Sequence, residues 1–208
     1  MNTRMIIPVK NLEEAKTSFS EVLTEEERKK LTLAMLEDVL VTSGKVKEIK
    51  QIVVTPDESV RNFVEDLGFK SIIEEGIGLN NALRMVIEES IDSGFREVLI
   101  MPADVPLLRP EDISNILGLT FGERCVVMTP SKENGTNALL LRPPNVINLH
   151  FGGESFPRHL EEARSKDLNL EVYQSKRLER DIDNPSDLLK VKVMGAGTKT
   201  QEFLEGLE

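Results

Sequence analysis

Short apolar runs alternate with longer amphipathic segments along almost the whole chain. Continuous apolar runs rich in valine, isoleucine and leucine are typical of strands that are buried on both faces of a parallel sheet. These runs predict strands at Met5–Val9, Ile49–Thr55, Lys70–Ile73, Val98–Met101, Cys125–Met128, Ala138–Leu141 and Leu170–Tyr173.

The segments between these runs carry apolar residues three and four positions apart, which is the spacing of an amphipathic helix. Thr24 and Glu27 have the spacing of a capping box, and Gly44 is expected to end the helix that they begin. Asp57 is expected to cap a second helix, which stops at Gly68. Further helices are predicted at Gly78–Ser93, from Pro110 onward, at Ser155–Arg164 and at Ser186–Val193.

Strands that alternate with helices predict an α/β protein in which a mostly parallel sheet lies between two helical layers. The second half alternates less regularly, so we expect some antiparallel pairing there. No repeat or low-complexity linker divides the chain, which favours one domain over residues 1–208. Gly195-Ala196-Gly197 is interpreted as the start of a loose polar tail.

Composition narrows the class of protein. The chain is 39% hydrophobic and 30% charged, and it has no apolar run near the ~20 residues of a membrane span. The N-terminus leads directly into a strand, so no signal peptide is expected. The single cysteine, Cys125, fits a cytoplasmic protein and is interpreted as a core residue. The net charge of −10 argues against binding to nucleic acid or an anionic membrane.

Several common catalytic patterns are missing from the sequence. The chain contains no Walker A loop, no G-x-G-x-x-G turn and no G-x-S-x-G elbow. Two histidines, His150 and His159, and one cysteine do not suggest a His/Cys zinc site. Any chemistry is therefore expected to rest on Asp, Lys and Gly residues.

Asp104 lies between two prolines directly after the strand predicted at Val98–Met101. Ligands bind at the carboxyl edge of open α/β sheets, and an unpaired carboxylate there is costly to bury. A divalent cation would relieve that cost. The alternative is that Asp104 caps a turn or the helix that begins near Pro110, and spacing alone does not decide between the two.

Two lysines and two further aspartates could lie at the same edge of the sheet as Asp104. Lys10 and Lys16 follow the first strand and suit phosphate binding, although surface lysines are common. Asp181 and Asp183 alternate, so both could face one cation together with Asp104. Asp183 could instead cap the helix near Pro185.

Three glycine-containing turns are weaker candidates for anion or base binding. Gly76 and Gly78 open a helix before Asn80, whose amide can both donate and accept hydrogen bonds. Gly135-Thr136-Asn137 joins two strands. Phe151-Gly152-Gly153 leads to Ser155 at the start of a helix.

Taken in order, these motifs resemble one family closely. The resemblance rests on Ile7-Pro8-Val9-Lys10, Ala15-Lys16, Gly76-x-Gly78-Leu79-Asn80, Pro102-Ala103-Asp104-x-Pro106-Leu107-Leu108, Gly135-Thr136-Asn137-Ala138-Leu139, Phe151-Gly152-x-x-Ser155-Phe156 and Asp181-x-Asp183-x-Pro185-x-Asp187-Leu188. The chain looks like the archaeal 2-phospho-L-lactate guanylyltransferases of coenzyme F420 biosynthesis. This family is related to enzymes that use phosphoenolpyruvate.

The resemblance implies a fold similar to nucleotide-diphospho-sugar transferases and a homodimer. It implies that GTP and 2-phospho-L-lactate, a phosphorylated three-carbon acid, give lactyl-2-diphospho-5'-guanosine and pyrophosphate. Alternatives are a relative that uses phosphoenolpyruvate, 3-phosphoglycerate or another nucleotide, and a nucleotide-binding protein without activity.

The resemblance also implies a role for each matching residue. Mg²⁺ would be held by Asp104, Asp181 and Asp183. Phosphates would be met by Lys10 and Lys16. Guanine or ribose would be bound by Gly76, Gly78 and Asn80. The carboxylate and phosphate of the acceptor would be bound by Thr136, Gly152 and Ser155.

Two positions depart from the family pattern. Members often have Ser-Arg-Leu or Thr-Arg-Leu after the second lysine, whereas here Thr17 is followed by Ser18-Phe19. A basic contact is therefore missing or comes from elsewhere, for example from Arg4. The loop before Gly135 commonly carries an aspartate, and this chain has Glu133-Asn134.

Overall fold

One seven-stranded sheet connects the two halves of the chain in the computed structural model, which describes residues 3–76 and 78–207. The expectations that concern Met1 and Asn2 lie outside the described residues. The strands are β1 (Thr3–Pro8), β2 (Ile49–Thr55), β3 (Ser71–Ile73), β4 (Glu97–Ile100), β5 (Cys125–Pro130), β6 (Thr136–Arg142) and β7 (Asn169–Val172). The helices are α1 (Glu25–Ser43), α2 (Glu58–Asp66), α3 (Leu79–Asp92), α4 (Pro110–Gly118), α5 (Ser155–Ser165), α6 (Pro185–Met194) and α7 (Lys199–Glu205).

The sheet is mostly parallel, as the alternation of strands and helices predicts. Its order is β3-β2-β1-β4-β6-β5-β7. The pairs β1–β2, β1–β4, β2–β3 and β5–β7 are parallel, and β6 runs antiparallel to β4 and β5. The expected antiparallel pairing in the second half is therefore confirmed. The carboxyl ends of β1 to β4 meet at one edge.

Helices cover both faces of the sheet, which confirms the three-layer α/β prediction. Leu36 and Val39 of α1, with residues of α2 and α4, form the core on one face. Leu83 and Val86 of α3, with Ala163 of α5, form the core on the other. Strand residues alternate between these two cores, so all the central strands are buried.

The predicted helix starts are stabilised by side-chain hydrogen bonds. The Thr24 N–H donates to Glu27 Oε2 at 2.8 Å, and the Glu27 N–H donates to Thr24 Oγ1 at 3.3 Å. Asp57 accepts from the Ser59 N–H at 2.8 Å. The other carboxylate oxygen of Asp57 accepts from the Leu12 N–H at 2.8 Å, which fixes the loop after β1 against α2.

The C-terminal segment is not the loose polar tail that the sequence suggested. It forms α7, which packs against α1, and it buries Thr200 and Leu204. Asp38 on α1 accepts hydrogen bonds from the N–H groups of Lys199 and Thr200 and from the Thr200 hydroxyl. This correction has a physical cause: a long-range partner satisfies the N-terminus of a helix too short for its own pattern to reveal.

Within the described residues, none of the helices has the length and apolar character needed to cross a membrane.

Candidate active site

A cavity of about 720 Å³ lies at the edge where β1, β2, β3 and β4 end. This is the position and size expected of a ligand site in an α/β protein. The predicted site residues that line it are Lys10, Lys16, Gly76, Gly78, Asp104 and Asp183. The predicted site residues that do not line it are Asn80, Thr136, Gly152, Ser155 and Asp181.

Lys16 lies between two of the predicted metal ligands. Its ammonium group donates to Asp104 Oδ2 at 2.8 Å and to Asp183 Oδ1 at 2.9 Å, and its side chain is 9% exposed. Burial alone would lower the pKa of Lys16, but the two carboxylates outweigh it and raise that pKa. Lys16 is therefore a fixed positive charge at neutral pH.

The chain around Asp104 holds this carboxylate in place. Ala103 and Val105 on either side are buried, and the Asp104 carbonyl accepts the Ile182 N–H at 3.0 Å. Asp112, and not Asp104, accepts the Arg109 N–H at the start of α4 at 3.0 Å. The structure thus decides against Asp104 as the cap of this helix.

The segment that carries Asp181 and Asp183 is also fixed. Ile182 is fully buried between them, so these two aspartates lie away from the core. Asp187 accepts the Asn184 N–H at 3.0 Å at the start of α6, which leaves the Asp183 side chain to Lys16. Asp183 is therefore not needed as a helix cap.

The Asp181 carboxyl group feels the charges of the other two aspartates. Burial, followed by the charges of Asp104 and Asp183, raises the pKa of Asp181 to about 7. Three neighbouring carboxylates repel one another, and a cation in addition to Lys16 would reduce that repulsion.

The donor atoms suit a hard cation such as Mg²⁺. Asp104 Oδ1 is buried and has no hydrogen-bond partner, so it is available as a ligand. Across residues 3–76 and 78–207, however, no three His, Cys, Asp or Glu side chains are already gathered as a metal site. Lys16 separates two of the carboxylates in this structure.

Ser18 and Phe19, the two residues that depart from the family pattern, hold the segment that carries Asp183. The Ser18 hydroxyl donates to the Asp183 carbonyl at 2.6 Å, and Phe19 is fully buried in the same core cluster as Ile182. Arg4 does not supply the missing positive charge, because it pairs with Glu89 and lies over the Phe95 ring. Among the described cavity-lining residues, Lys10 and Lys16 are the basic ones.

The glycine turn before α3 forms another wall of the cavity. Gly78 precedes the helix with φ +85°, a conformation that strongly favours glycine. Asn80, which is predicted to bind guanine or ribose, does not line the cavity. Its amide donates to the Phe151 carbonyl and accepts the Phe151 N–H, both at 2.9 Å. It therefore links the start of α3 to the Phe151-Gly152 loop.

Thr136 and Ser155 contact each other, although neither residue lines the cavity. The Ser155 hydroxyl donates to Thr136 Oγ1 at 3.1 Å, and both residues are almost fully buried. Gly152, with φ +128°, lies in the loop that leads to Ser155. This group stays a prediction for acceptor binding.

His159 is a residue that the sequence argument left out. It is fully buried, its Nε2 accepts the His150 N–H at 2.9 Å, and its Nδ1 lies 3.0 Å from Thr136 Oγ1. Burial, with a smaller effect of His150, lowers the pKa of His159 to about 4. The neutral ring therefore carries its proton on Nδ1 and donates it to Thr136. Its place four residues after Ser155 was the available signal.

Two other positions have clear structural roles. Asn134 has φ +60° in the turn before Gly135, where asparagine is better suited than most residues, and its carbonyl accepts the Phe156 N–H.

Cys125 is 1% exposed, and burial raises its pKa. The interpretation of Cys125 as a core residue is consistent with both facts.

Sequence comparison connects this geometry to known proteins. Residues 3–208 match the family described as "Guanylyl transferase CofC like". A 2-phospho-L-lactate guanylyltransferase of Methanocaldococcus vulcanius is 39% identical over 98% of this chain and 90% of its own length. The corresponding enzyme of Methanothermobacter thermautotrophicus is 37% identical over 100% and 92%. A phosphoenolpyruvate guanylyltransferase of Rubrobacter xylanophilus is 34% identical over 94% and 96%.

Solved structures show the same fold at low sequence identity. A candidate nucleotide-diphospho-sugar transferase from Desulfovibrio desulfuricans has a TM-score of 0.81 at 16% identity, over 99% of this chain and 95% of that one. A nucleotidyl transferase from Methanothermobacter has a TM-score of 0.68 at 12% identity, over 99% of both chains.

Proposed function

Because the chain belongs to the CofC-like guanylyl transferase family, we propose that it joins GTP to 2-phospho-L-lactate. The products are lactyl-2-diphospho-5'-guanosine and pyrophosphate. The observation that carries this proposal is the position of Lys16 between Asp104 and Asp183 in the cavity at the sheet edge. That arrangement can bind and align two phosphorylated molecules.

The reaction needs charge neutralisation more than proton transfer. An oxygen of the acceptor phosphate forms a bond to the α-phosphorus of GTP. The bond from that phosphorus to the oxygen bridging to the β-phosphate breaks, and pyrophosphate leaves with the electron pair. The acceptor phosphate is already an anionic nucleophile near neutral pH, so no general base is required. The barrier comes from repulsion between anions and from charge on the leaving group.

The residues of the chain address both parts of this barrier. Lys16 is held charged in the cavity, and Lys10 lies in the same loop at the cavity wall. We assign these two lysines to the phosphates of the substrates. Asp104, Asp181 and Asp183 would hold Mg²⁺, which supplies further neutralisation of phosphate charge when it is bound.

We assign the acceptor to Thr136, Gly152 and Ser155. His159 donates to Thr136 Oγ1, and so does the Ser155 hydroxyl, which leaves the Thr136 proton free to be donated. A hydroxyl oriented in this way suits a carboxylate or phosphate oxygen. Gly152, with no side chain, allows such a ligand to approach the backbone closely.

The choice of acceptor is supported by similarity. The archaeal relatives described above are named for 2-phospho-L-lactate and are 37–39% identical to this chain, compared with 34% for the relative named for phosphoenolpyruvate. We therefore place 2-phospho-L-lactate first and phosphoenolpyruvate second.

Pyrophosphate release tests the proposal. The protein is incubated with Mg²⁺, GTP and one acceptor at a time: 2-phospho-L-lactate, phosphoenolpyruvate or 3-phosphoglycerate, with an inorganic pyrophosphatase to draw the reaction forward. We expect the highest kcat/KM with 2-phospho-L-lactate and little release when ATP replaces GTP. Higher kcat/KM with phosphoenolpyruvate would keep the reaction and change the acceptor. No release with any acceptor would contradict the proposal.

A further inference from the structure

Glu74 is a buried acidic residue in the cavity that the proposed reaction does not use. It follows β3, it is 8% exposed, and it lines the cavity together with Gly76 and Gly78. We propose that Glu74 determines nucleotide specificity by accepting hydrogen bonds from the N1–H and the 2-amino group of guanine. This inference rests on the proposed use of GTP.

The four carboxylates among the described cavity-lining residues have different surroundings. Glu14 is exposed, and Asp104 and Asp183 contact Lys16. Glu74 has an interaction of its own within the protein, but a carboxylate has about four lone-pair positions and can accept further donors. Its backbone is fixed, because its N–H donates to the Thr55 carbonyl at 3.0 Å.

Charge sets the direction in which a nucleotide can lie in the cavity. The Glu74 carboxylate repels a triphosphate, whereas Lys10, Lys16 and the Mg²⁺ proposed at the three aspartates would attract it. The phosphates are therefore expected at the lysines, beside the ends of β1 and β4. The base is expected at the opposite end, beside Glu74.

The width of the sheet agrees with this direction. Three strand steps separate β3 from β4 in the sheet order. Neighbouring strands lie about 4.8 Å apart, so the two strand ends are roughly 14 Å apart. An extended nucleotide can span this distance from its base edge to its phosphates.

The walls near Glu74 suit a flat ring. Val54, Pro56, Leu79 and Ala82 line the same cavity and present apolar surface. Apolar contacts hold any purine without distinguishing between them. A buried carboxylate supplies the discrimination, because guanine offers two donors on the matching edge and adenine offers an acceptor at N1.

Nucleotide binding measured by calorimetry tests this inference without turnover. Full-length wild type, Glu74→Gln and Glu75→Gln are titrated with GTP, ITP, XTP and ATP in the absence of an acceptor. Glu75 is the matched control, because it is the adjacent glutamate, is exposed and does not line the cavity. Circular dichroism establishes that each variant is folded.

The inference predicts a change of preference as well as a loss of affinity. Wild type should bind GTP about tenfold more tightly than ITP, which lacks the 2-amino group, and about a hundredfold more tightly than XTP or ATP. In Glu74→Gln, the amide can accept from N1–H and donate to the 2-oxo group of xanthine. This variant should therefore bind XTP more tightly than GTP, while Glu75→Gln should match wild type.

Two results would overturn the inference. One is a folded Glu74→Gln protein that keeps the wild-type ratio of GTP to XTP affinity. The other, which needs no variant, is equal affinity of wild type for GTP and ITP, so the test holds even if Glu74→Gln does not fold. Failure of the proposed reaction can be distinguished from failure of this inference, because the protein would then bind guanine nucleotides selectively but release no pyrophosphate.

Discussion

Lys16 combines an unusual backbone conformation with two ion pairs. Its backbone adopts a left-handed conformation, φ 53° and ψ 39°, which is costly for a residue other than glycine. Two carboxylates hold its ammonium group, and these carboxylates are the proposed Mg²⁺ ligands. A strained and doubly paired lysine at a cavity wall is typical of an active site.

Replacement of Asp104 should affect turnover more than folding. Asp104→Asn should lower kcat for pyrophosphate release by about a hundredfold or more, because it removes a charge that pairs with Lys16 and that we propose to hold Mg²⁺. The fold should persist, since Asp183 still pairs with Lys16. Steady-state kinetics and thermal unfolding measure the two effects. Glu14→Gln, a second acidic residue of the cavity wall, is the control, and near-normal turnover in Asp104→Asn would exclude the role.

His159 gives a prediction about stability and pH. Its pKa in the folded protein is about 4, below its ordinary value near 6.5, so the unfolded chain binds a proton first as pH falls. Between pH 6.5 and pH 5, the wild type should therefore lose about 1–2 kcal/mol of unfolding free energy relative to His159→Gln, because glutamine does not titrate. Urea unfolding of both proteins at both pH values measures this difference, and the opposite effect of Asp181, whose pKa is raised to about 7, cancels in it.

The neighbouring Glu162 contributes little to the change in stability between pH 6.5 and pH 5. Hydrogen bonds and nearby positive charges outweigh burial and lower the pKa of Glu162 to about 2, so its effect on stability is lost only below pH 4.5. An equal change in the free energy of unfolding of wild type and His159→Gln between pH 6.5 and pH 5 would contradict the assignment.

The segment after β7 carries two of the three aspartates that we propose as Mg²⁺ ligands. Asp112 on α4 is fully buried and accepts hydrogen bonds from Tyr173, Ser175 and Arg177, each at 2.9 Å. These bonds outweigh burial and lower the pKa of Asp112. Further along, the Asn137 amide donates to the Leu178 carbonyl at 2.7 Å. The segment is thus fixed from two sides before it reaches Asp181.

Asp112→Ala should destabilise the protein by about 3 kcal/mol, because several buried donors lose their acceptor. It should also lower activity, since Asp181 and Asp183 follow the segment that it holds. Urea unfolding and pyrophosphate release measure these effects. Glu111→Ala, an exposed neighbour on the same helix, should leave both unchanged. Normal stability of Asp112→Ala would show that this cluster does not hold the segment.

Local signals explain which elements could be predicted from the sequence. The box of Thr24 and Glu27 and the buried run Ile49–Thr55 depend on neighbouring residues, and both have the predicted form. Helix α7 depends on Asp38, more than 160 positions earlier, so its own residues did not reveal it. The contacts of Asn80 and His159 are likewise long-range or buried, and the sequence alone did not indicate them.

The topology of the sheet brings motifs that are distant in sequence to one cavity. Residues from the loops after β1, β3 and β4, and from the segment before α6, line one cavity although they span residues 8–183. Six of the site residues predicted from these motifs line the cavity. Asn80, Thr136 and Ser155 do not line it, and their side chains form hydrogen bonds within the protein.

The proposed function requires the protein to join GTP to a phosphorylated three-carbon acid. Phosphorus-31 NMR of the protein with GTP, Mg²⁺ and 2-phospho-L-lactate tests this reaction, because it distinguishes every phosphorus atom. We predict that a diphosphate-linked product and pyrophosphate appear in equal amounts, and only when both substrates are present. GTP that stays intact, or that gives GDP and inorganic phosphate, would contradict the claim.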